Sequence, residues 1–363
     1  MTEKEQLVIL NLVRGLGPVR IKKLIETFGS AGKVLSQSPS SLQRVPGIGP
    51  ALSAAVAGWK NLEYEEEFRL IEKLGIRITT IYEPGYPPAL KEIYDPPSVL
   101  YIRGEIRRED RPAIGVVGSR RASTYGLEAA RRLSRELSAA GFTVVSGLAR
   151  GIDTRAHRGA LEGGGRTIAV LGSGLGTIYP PENRGLADAI AGRGAVISEF
   201  PVRMPPERTN FPLRNRIISG LSLGVLVVEA ASRSGALITA RLAMEQGRLV
   251  MAVPGRIDSF SARGTNDLIG DGARMVRSVD DILDEFAYLL PEKKPESPPP
   301  GTPPRGLSPD QERVYRVLAE EEKRVDEIIS STGLSSGAVA SILLSLELKK
   351  LVKRLPGKTY IKT

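Results

Sequence analysis

The chain lacks cysteine and has a single histidine among its 363 residues, and both shortages limit the chemistry it can perform. Without cysteine there can be no disulfide, no thiolate nucleophile and no cysteine-bound metal. Because His157 stands alone, a histidine-rich metal site and a catalytic pair of histidines are excluded as well. We therefore expect no metal and no cofactor.

Long apolar runs are also missing. No stretch is long enough to span a bilayer, and the first residues, MTEKEQ, lack the pattern of a signal peptide. The hydrophobic fraction is 41% and the mean hydropathy is −0.10, values typical of a globular protein in water. The length is sufficient for two or three domains. These properties predict a cytoplasmic protein without a membrane partner.

Positive charge is in excess, with a formal net charge of +10 and an isoelectric point of about 9.7. Such an excess favours a polyanionic partner without naming one. The lysines and arginines are spread along the chain, and no basic tail carries them. An anion site therefore has to be built from arginines that meet in space.

Two short glycine hairpins stand out in residues 1–80, where the apolar pattern predicts helices. Gly15-Leu16-Gly17 and Gly47-Ile48-Gly49 each lie between two helical stretches. Such glycines let the N-terminus of the next helix face a phosphate, so the region resembles a tandem helix-hairpin-helix (SAM-like) domain, a module that grips DNA backbones. The second hairpin has only Arg44 and Lys60 nearby, and a role in packing or protein contacts is the alternative. The residues that we expect to assist DNA binding are Gly15, Gly17, Arg20, Lys22 and Lys23.

Residues 113–290, which follow a structured joint at residues 81–112, alternate apolar strand-like runs with helix-length segments. Strands joined by crossover helices form a mostly parallel sheet, and ligands of such sheets bind beyond the carboxyl ends of the strands. The pattern predicts a doubly wound, Rossmann-like α/β core. The predicted strands are 114–117, 143–145, 167–171, 195–197, 225–228 and 249–253, with helices between them, for instance at 126–141 and 238–247.

The loops after these strands carry glycines, hydroxyl groups and arginines, which are the groups that a phosphate-binding surface needs. The first loop contains Gly118, Ser119 and Arg120, and Arg184 follows the third strand. Because all these loops belong to one edge of the sheet, we expect their side chains to converge there.

The stretch TNFPLRNRIISG at residues 209–220 places two arginines around an amide, at Arg214, Asn215 and Arg216. Pro212 fixes its own φ and biases Phe211 toward extended backbone, which predicts that the arginines lie where an extended segment ends. Their guanidinium groups are planar forks that match phosphate. The alternative is an ion pair between one of these arginines and a carboxylate such as Glu199 or Glu229.

Several long motifs follow one another through the joint and the core: YPPAL at 86–90, GSR at 118–120, SGLARGID at 146–153, YPPEN at 179–183, FPLRNRIISGLS at 211–222, SGALITA at 234–240, AVPG at 252–255 and GTNDLIGDGA at 264–273. In this order they resemble the DprA/Smf (DNA-processing protein A) family. The resemblance implies a homodimeric single-stranded DNA-binding protein that loads the RecA recombinase during natural transformation and is not an enzyme. It places strand binding on Arg120 and Arg214, with Arg184 as a further candidate. In the mechanism that we expect, Asn215, Arg216 and Arg184 assist these two arginines.

Other nucleotide chemistry fits the core less well. The run GSGLG at 172–176 lacks the GxGxxG spacing of a dinucleotide site, and the chain has no GxxxxGK[ST] loop. Phosphoribohydrolases of the LOG type share this style of core and use a glutamate, for which Glu229 is the candidate, but SRSGALIT stands where their PGGxGT loop would be. His157 is interpreted as structural, and Asp153 as the cap of a helix that begins at Thr154.

The C-terminal part consists of a proline-rich linker at residues 291–306 and a globular segment at residues 307–363. Three helices, the last at 335–350, and a hairpin resemble a winged helix. The third helix carries Lys349 and Lys350 only at its end, and the wing carries Lys353, Arg354 and Lys358. A DNA contact, including one with double-stranded DNA, and a protein contact are both open for this domain.

Overall fold

The computed structural model of the chain describes residues 1–289, 307–318, 322–349, 351–355, 357 and 359–362. The chain divides into two compact units, Met1–Leu289 and Leu290–Thr363. The linker predicted at 291–306 lies outside the described residues, as do Lys350 and Lys358. The finer boundaries at residues 80 and 112 stay predictions.

The first unit begins with six helices that surround the two glycine hairpins. Gly17 and Gly49 each precede a helix that starts with proline, at Pro18 and Pro50. Proline is favoured there because it has no backbone N–H, and an N–H in the first turn would have no acceptor within the helix. Gly15 and Gly47 have φ of 83° and 90°, which an L-residue rarely adopts. The helices are α1 (Glu3–Leu12), α2 (Pro18–Phe28), α3 (Ala31–Leu35), α4 (Pro39–Leu42), α5 (Pro50–Ala57) and α6 (Tyr64–Lys73).

A nine-stranded, mostly parallel sheet forms the centre of the first unit. The strands are β1 (Arg77–Thr80), β2 (Val99–Gly104), β3 (Ala113–Val117), β4 (Thr143–Ser146), β5 (Thr167–Val170), β6 (Ala195–Ser198), β7 (Gly224–Val227), β8 (Leu249–Ala252) and β9 (Arg274–Met275). The helices between them are α7 (Pro88–Lys91), α8 (Thr124–Ala139), α9 (Ile152–Glu162), α10 (Arg184–Arg193), α11 (Asn210–Gly220), α12 (Gly235–Glu245), α13 (Arg263–Gly270) and α14 (Asp280–Leu283).

Strand order across the sheet is β1-β2-β6-β5-β4-β3-β7-β8-β9. Strands β3 to β9 pair in parallel, whereas β2 runs antiparallel to both β1 and β6. The Rossmann-like fold class predicted from the sequence is confirmed. Each of the six predicted core strands agrees with an observed strand to within one residue at either end, because strands buried on both faces are continuous apolar runs.

The chain progresses in one direction from β3 to β6 and then returns to the other side of β3 as β7. The carboxyl ends of β3 and β7 therefore border a crevice, because the helices that follow them leave in opposite directions. Ligands of open α/β sheets bind at this switch point. The position of the crevice follows from topology alone.

The N-terminal helices share a hydrophobic core with the first strands of the sheet. Leu7, Leu24, Val99, Tyr101 and Val196 are members of one buried cluster. Two hydrogen bonds tie the same surfaces, one from Asn11 Nδ2 to the Glu199 carbonyl at 2.9 Å and one from the Val202 N–H to Glu67 Oε1 at 2.8 Å. The helical region is therefore packed onto the core.

The second unit has the winged-helix arrangement, with helices α15 (Pro309–Val317), α16 (Val325–Thr332) and α17 (Ser336–Leu348) and strands β10 (Lys323–Arg324), β11 (Val352–Leu355) and β12 (Thr359–Lys362). The strands form a sheet in the order β10-β12-β11. In the described part of the chain, no single helix is long and apolar enough to cross a membrane, and α16 with α17 reaches that length only as a pair bent by 112°.

Candidate nucleic-acid interface

A cavity of about 780 Å³ lies at the carboxyl edge of the sheet, where the topology reverses. We call it the arginine cavity, because four arginines and one carboxylate, Arg120, Arg121, Arg208, Arg214 and Asp153, are among its lining residues. The first turns of α11 and α12 also line it, through Phe211 and Gly235 among others. Helix N-termini carry partial positive charge, so the backbone adds to the arginines in favouring an anion.

Helix α11 carries the cluster Arg214, Asn215 and Arg216 and begins at Asn210. Phe211 and Pro212 are thus its first-turn residues, and the prediction that they form an extended segment is wrong. Proline is tolerated in a first turn, where the missing N–H has no intrahelical acceptor. The helical geometry matters for the site, because it turns Arg214 and Arg216 in different directions.

Arg214 reaches down toward the ends of β4 and β5. Its side chain is 3% exposed, and its guanidinium donates to the carbonyl of Gly147 at 2.7 Å and to the carbonyl of Val170. A Cβ at Gly147 would overlap this guanidinium and would displace it from these carbonyls. Burial lowers the pKa of Arg214 to about 10, while the nearby carboxylate of Asp153 opposes that shift. The group stays charged at neutral pH and places a buried positive charge in the cavity wall.

Arg216 turns away from the cavity and forms the ion pairs that the sequence left open as an alternative. It donates to both oxygens of Glu199, at 3.0 and 2.6 Å, and to Asp95 Oδ2 at 2.8 Å. Burial raises the pKa of Glu199, and the guanidinium of Arg216 opposes that shift. Because all three donor nitrogens of Arg216 are engaged, its role in this structure is to hold α11 against the loop before β2.

Arg120 is exposed and lies over an aromatic ring. Its Cζ is 5.0 Å from the centroid of the Phe211 ring, and the ring of Tyr179 is 5.9 Å from Phe211 on a tilted plane. A guanidinium over a ring face is a favourable cation–π contact that fixes the arginine without using its hydrogen-bond donors. The donors of Arg120 remain directed to solvent and cavity, where an anion can accept from them.

The other predicted residues divide into two groups. Gly118, Ser119 and Asn215 line the arginine cavity, and Asn215 Oδ1 accepts from Arg214 Nε at 3.3 Å. Arg184 is exposed at the start of α10 and is not among the lining residues. Sequence reasoning missed the lining residues Arg121, Tyr179, Arg208 and Phe211, although all of them stand in loops or first turns at the carboxyl edge.

Asp153 and His157 lie on α9, where Asp153 lines the cavity and His157 does not. The helix begins at Ile152 after Gly151, so the prediction that Asp153 caps a helix starting at Thr154 is wrong; its carboxylate accepts from the Ala149 N–H at 3.3 Å. Burial raises the pKa of Asp153, and Arg214 opposes that shift. His157 is fully buried, with Nδ1 2.7 Å from Thr167 Oγ1, and burial lowers its pKa to about 3.

Glu229, the candidate catalytic glutamate of a phosphoribohydrolase, is hydrogen-bonded to Ser123, the N-cap residue of α8. Its carboxylate accepts from the Ser123 N–H at 2.9 Å and from the Ser123 hydroxyl, at the start of α8. The side chain is 4% exposed and is not among the lining residues of the cavity. This placement satisfies the carboxylate inside the fold and removes it from the cavity.

The two glycine hairpins come together in space, which the sequence did not indicate. Arg14, Gly15 and Arg20 share one surface pocket with Gly47 and Gly49. Arg20 Nη1 donates to the Gly15 carbonyl at 2.9 Å. The prediction that only Arg44 and Lys60 lie near the second hairpin is therefore wrong, because Arg14 and Arg20 serve both. Gly17, Lys22 and Lys23 are exposed nearby on or before α2.

The described part of the winged helix offers Lys353 and Arg354, both exposed on β11. Helix α17 instead exposes two leucines, Leu344 and Leu348, at 58% and 78%. Apolar side chains on that face are typical of a protein contact rather than of a phosphate contact. Within the described ranges, no group of three or more His, Asp or Glu side chains is placed to hold a metal ion.

Comparison with family models gives three matches along the chain. Residues 77–287 match the model described as DNA recombination-mediator protein A. Residues 298–358 match the DprA winged helix domain, and residues 9–56 match the SAM-like helix-hairpin-helix tandem.

Individual proteins agree with these matches. The chain is 38% identical to Protein Smf of Synechocystis over 96% of each chain. The X-ray structure of DNA processing protein A from Streptococcus pneumoniae superposes with a TM-score of 0.69 and 36% identity, covering 78% of this chain and 98% of that one. DNA processing protein A from Helicobacter pylori, whose structure is described in terms of its single-stranded DNA binding mode, gives a TM-score of 0.54 and 29% identity, covering 59% and 98%.

Proposed function

Because the chain belongs to the DNA recombination-mediator protein A (DprA/Smf) family, we propose that it binds single-stranded DNA in the arginine cavity, without sequence preference. The observation that carries the proposal is the pair formed by Arg120 and Phe211, a free guanidinium held 5.0 Å above an aromatic ring at the cavity. Such a pair offers a phosphate contact and a stacking surface together, which are the two elements of strand binding.

Phosphate binding is assigned to the exposed arginines. Arg120, Arg121 and Arg208 are exposed, and none pairs with a carboxylate among the described residues. Arg214 lies deeper and adds charge, and Gly118, Ser119 and Asn215 complete the wall. Because a backbone phosphate has the same charge in every nucleotide, these contacts address all sequences equally.

Base binding is assigned to Phe211 and Tyr179. Their rings are 5.9 Å apart and both line the cavity. Every base has a π-face, so stacking on these rings is tolerant of sequence and contributes about 1–3 kcal/mol per base. Arg216 is a positioning residue in this proposal, since its donors are used by Glu199 and Asp95.

The remaining assignments are proposed as auxiliary. The paired hairpins, with Gly15, Gly17, Arg20, Lys22 and Lys23, would contact a DNA backbone, including that of a duplex, and Lys353 and Arg354 of the winged helix would do the same. Arg184 would contact a strand outside the cavity. Homodimerisation and delivery of the strand to RecA rest on the family resemblance, and sedimentation of the full chain with and without RecA and DNA tests them.

The strand site is tested by fluorescence anisotropy with a labelled oligothymidylate over a salt series. The full-length chain should bind with an affinity that falls steeply with salt, because cations are released from the DNA. Arg120→Glu should lose most of this affinity. Arg132→Glu is the matched control, since Arg132 is exposed on the middle of α8, away from the cavity lining.

Equal binding by Arg120→Glu and by the wild type would show that the strand binds elsewhere and would overturn the assignment. We propose binding without turnover. Release of free base from a nucleoside monophosphate, lost on Glu229→Ala, would instead identify a phosphoribohydrolase.

A further inference from the structure

A second groove, of about 500 Å³, lies between α2 and the joint that leads into β2. We call it the tyrosine groove, because Tyr82 and Tyr94 line it while being 53% and 88% exposed. Two exposed aromatic rings that line one groove form an apolar surface that a partner can cover. Three lysines, Lys22, Lys23 and Lys91, stand around the two rings.

We propose that the tyrosine groove is a second subsite for single-stranded DNA, in which bases stack on Tyr82 and Tyr94 and phosphates contact Lys23 and Lys91. This inference rests on the proposed function, because it extends the strand that the arginine cavity holds. It assigns a binding role to the joint, which the sequence indicated only as a structured connection.

The charge of the groove favours a polyanion. Its two carboxylates are already engaged, since Glu26 lies 3.9 Å from Lys22 and Asp95 accepts from Arg216 at 2.8 Å. Lys23 and Lys91 have no carboxylate partner within 4 Å among the described residues. Two cations beside two exposed rings repeat the combination found at the arginine cavity, and this combination is how proteins bind single strands.

The tyrosines are exposed but are not on loose chain. Tyr94 stands between Ile93, which is 6% exposed, and Asp95, which is bonded to Arg216. Tyr82 is followed by Glu83, whose carboxylate accepts from the Thr80 N–H and pairs with Lys4, both at 2.7 Å. The backbone on either side of both rings is therefore held in place, which lowers the entropy lost when a base stacks on them.

The groove and the arginine cavity lie at the same edge of the sheet. Because β2 is antiparallel to β6, with Tyr101 opposite Ser198, the residues that precede β2 lie beyond the carboxyl end of β6. Thr80 at the end of β1 pairs with Val99, which brings Tyr82 to the same edge. From β3 to β2 there are four strand spacings, about 19 Å, so a few nucleotides are long enough to span the distance between the two strand ends.

The ion pairs of Arg216 connect the two sites directly. Arg216 follows Asn215, which lines the arginine cavity, and it bonds to Asp95, which lines the tyrosine groove. Both subsites are therefore anchored to one helix, α11, and keep their spacing.

The test measures affinity of the full-length chain for oligothymidylates of about 4 to about 16 nucleotides. Tyr94→Ala should weaken binding of the longest oligonucleotide at least fivefold, as expected for one lost base stack, and leave the shortest unchanged because that one fills only the cavity. Tyr94→Phe should restore wild-type affinity. Lys91→Ala should reduce the salt dependence of the longest oligonucleotide by about 0.7 in log–log slope.

Lys73→Ala is the matched control, since Lys73 is an exposed lysine that precedes β1 at the opposite, amino edge of the sheet. Arg120→Glu serves as the reference and should weaken all lengths. If Tyr94→Ala and Lys91→Ala bind the longest oligonucleotide like the wild type while Arg120→Glu does not, the groove is no strand subsite and belongs to another partner, such as a protein. If the wild type binds no oligonucleotide, this inference falls together with the proposed function.

Discussion

Replacing Arg216 with glutamine should destabilise the first unit by about 3–5 kcal/mol at pH 7, which is the usual effect of breaking a buried ion pair. The same variant, once folded, should bind the shortest oligothymidylate, which fills only the arginine cavity, with an affinity close to that of the wild type. Arg120→Glu should show the opposite behaviour, with unchanged stability and lost affinity. The two arginines would then be separated into one that supports the fold and one that contacts DNA.

The magnitude follows from Glu199, whose side chain is 11% exposed and whose pKa is raised by burial even beside Arg216. Without the guanidinium, this carboxyl must take up a proton. Neutralising a carboxyl of pKa 4.5 at pH 7 costs about 3.4 kcal/mol, because each pKa unit corresponds to about 1.4 kcal/mol. In the variant the folded-state pKa lies above the unfolded value, so stability returns as the pH falls, and at pH 5 the same neutralisation costs about 0.7 kcal/mol.

The assay is urea unfolding at pH 7 and pH 5, followed by the fluorescence of Trp59. This residue is the single tryptophan of the chain and belongs to the first unit, where its indole N–H donates to the Leu35 carbonyl at 3.0 Å. Arg256→Gln is the control, because the pair of Arg256 with Asp258 is 83% and 64% exposed and should contribute little to stability. A variant of Arg216 that is as stable as this control but no longer binds DNA would refute the assignment.

Three further predictions concern residues around the cavity. Between pH 6.5 and about 3, His157 is protonated only in the unfolded state, so the free energy of unfolding falls as the pH drops through that window. Between pH 7 and pH 5 the loss should be about 2 kcal/mol. His157→Asn, measured by the same unfolding assay, should not show this loss. Gly151→Ala should destabilise by more than about 1 kcal/mol and weaken DNA binding, since Gly151 has φ of 76° and a Cβ there would overlap the Ser119 carbonyl; unchanged anisotropy and unfolding would contradict this. Glu229→Gln should lower the urea midpoint, because Ser123 loses a carboxylate acceptor worth about 1–3 kcal/mol. Release of base from a nucleoside monophosphate by the wild type that is lost in this variant would show instead that Glu229 is catalytic.

The core strands were predictable because their signal is local. A strand buried on both faces must be apolar along its whole length, and the loops that follow such strands must lie at one edge of the sheet. Arg120 could therefore be placed at the site from its position after β3 alone. The location of Phe211 in a helix was not predictable from Pro212, since the same proline is compatible with an extended segment and with a first helical turn.

The partners of the arginines could not be read from the sequence, because they are distant along the chain. Arg216 is separated from Asp95 by 121 residues, and Arg214 from the Gly147 carbonyl by 67 residues. Whether an arginine is buried and paired or exposed and free depends on the helical phase of α11 and on the packing of the joint. For the same reason the meeting of the two hairpins around Arg20 emerged only in three dimensions.

The shared core of the N-terminal helices and the sheet has a consequence for how the protein could measure a DNA strand. Because Tyr101 and Val196 of the sheet are buried in the same cluster as Leu7 and Leu24, the hairpins cannot swing away from the arginine cavity without exposing that cluster to water. A hinge between them is therefore disfavoured, and removal of residues 1–80 would leave the flank of β2 bare. Two DNA contacts made at the hairpins and at the cavity would be kept a constant distance apart, so the first unit would fix the length of DNA that lies between them.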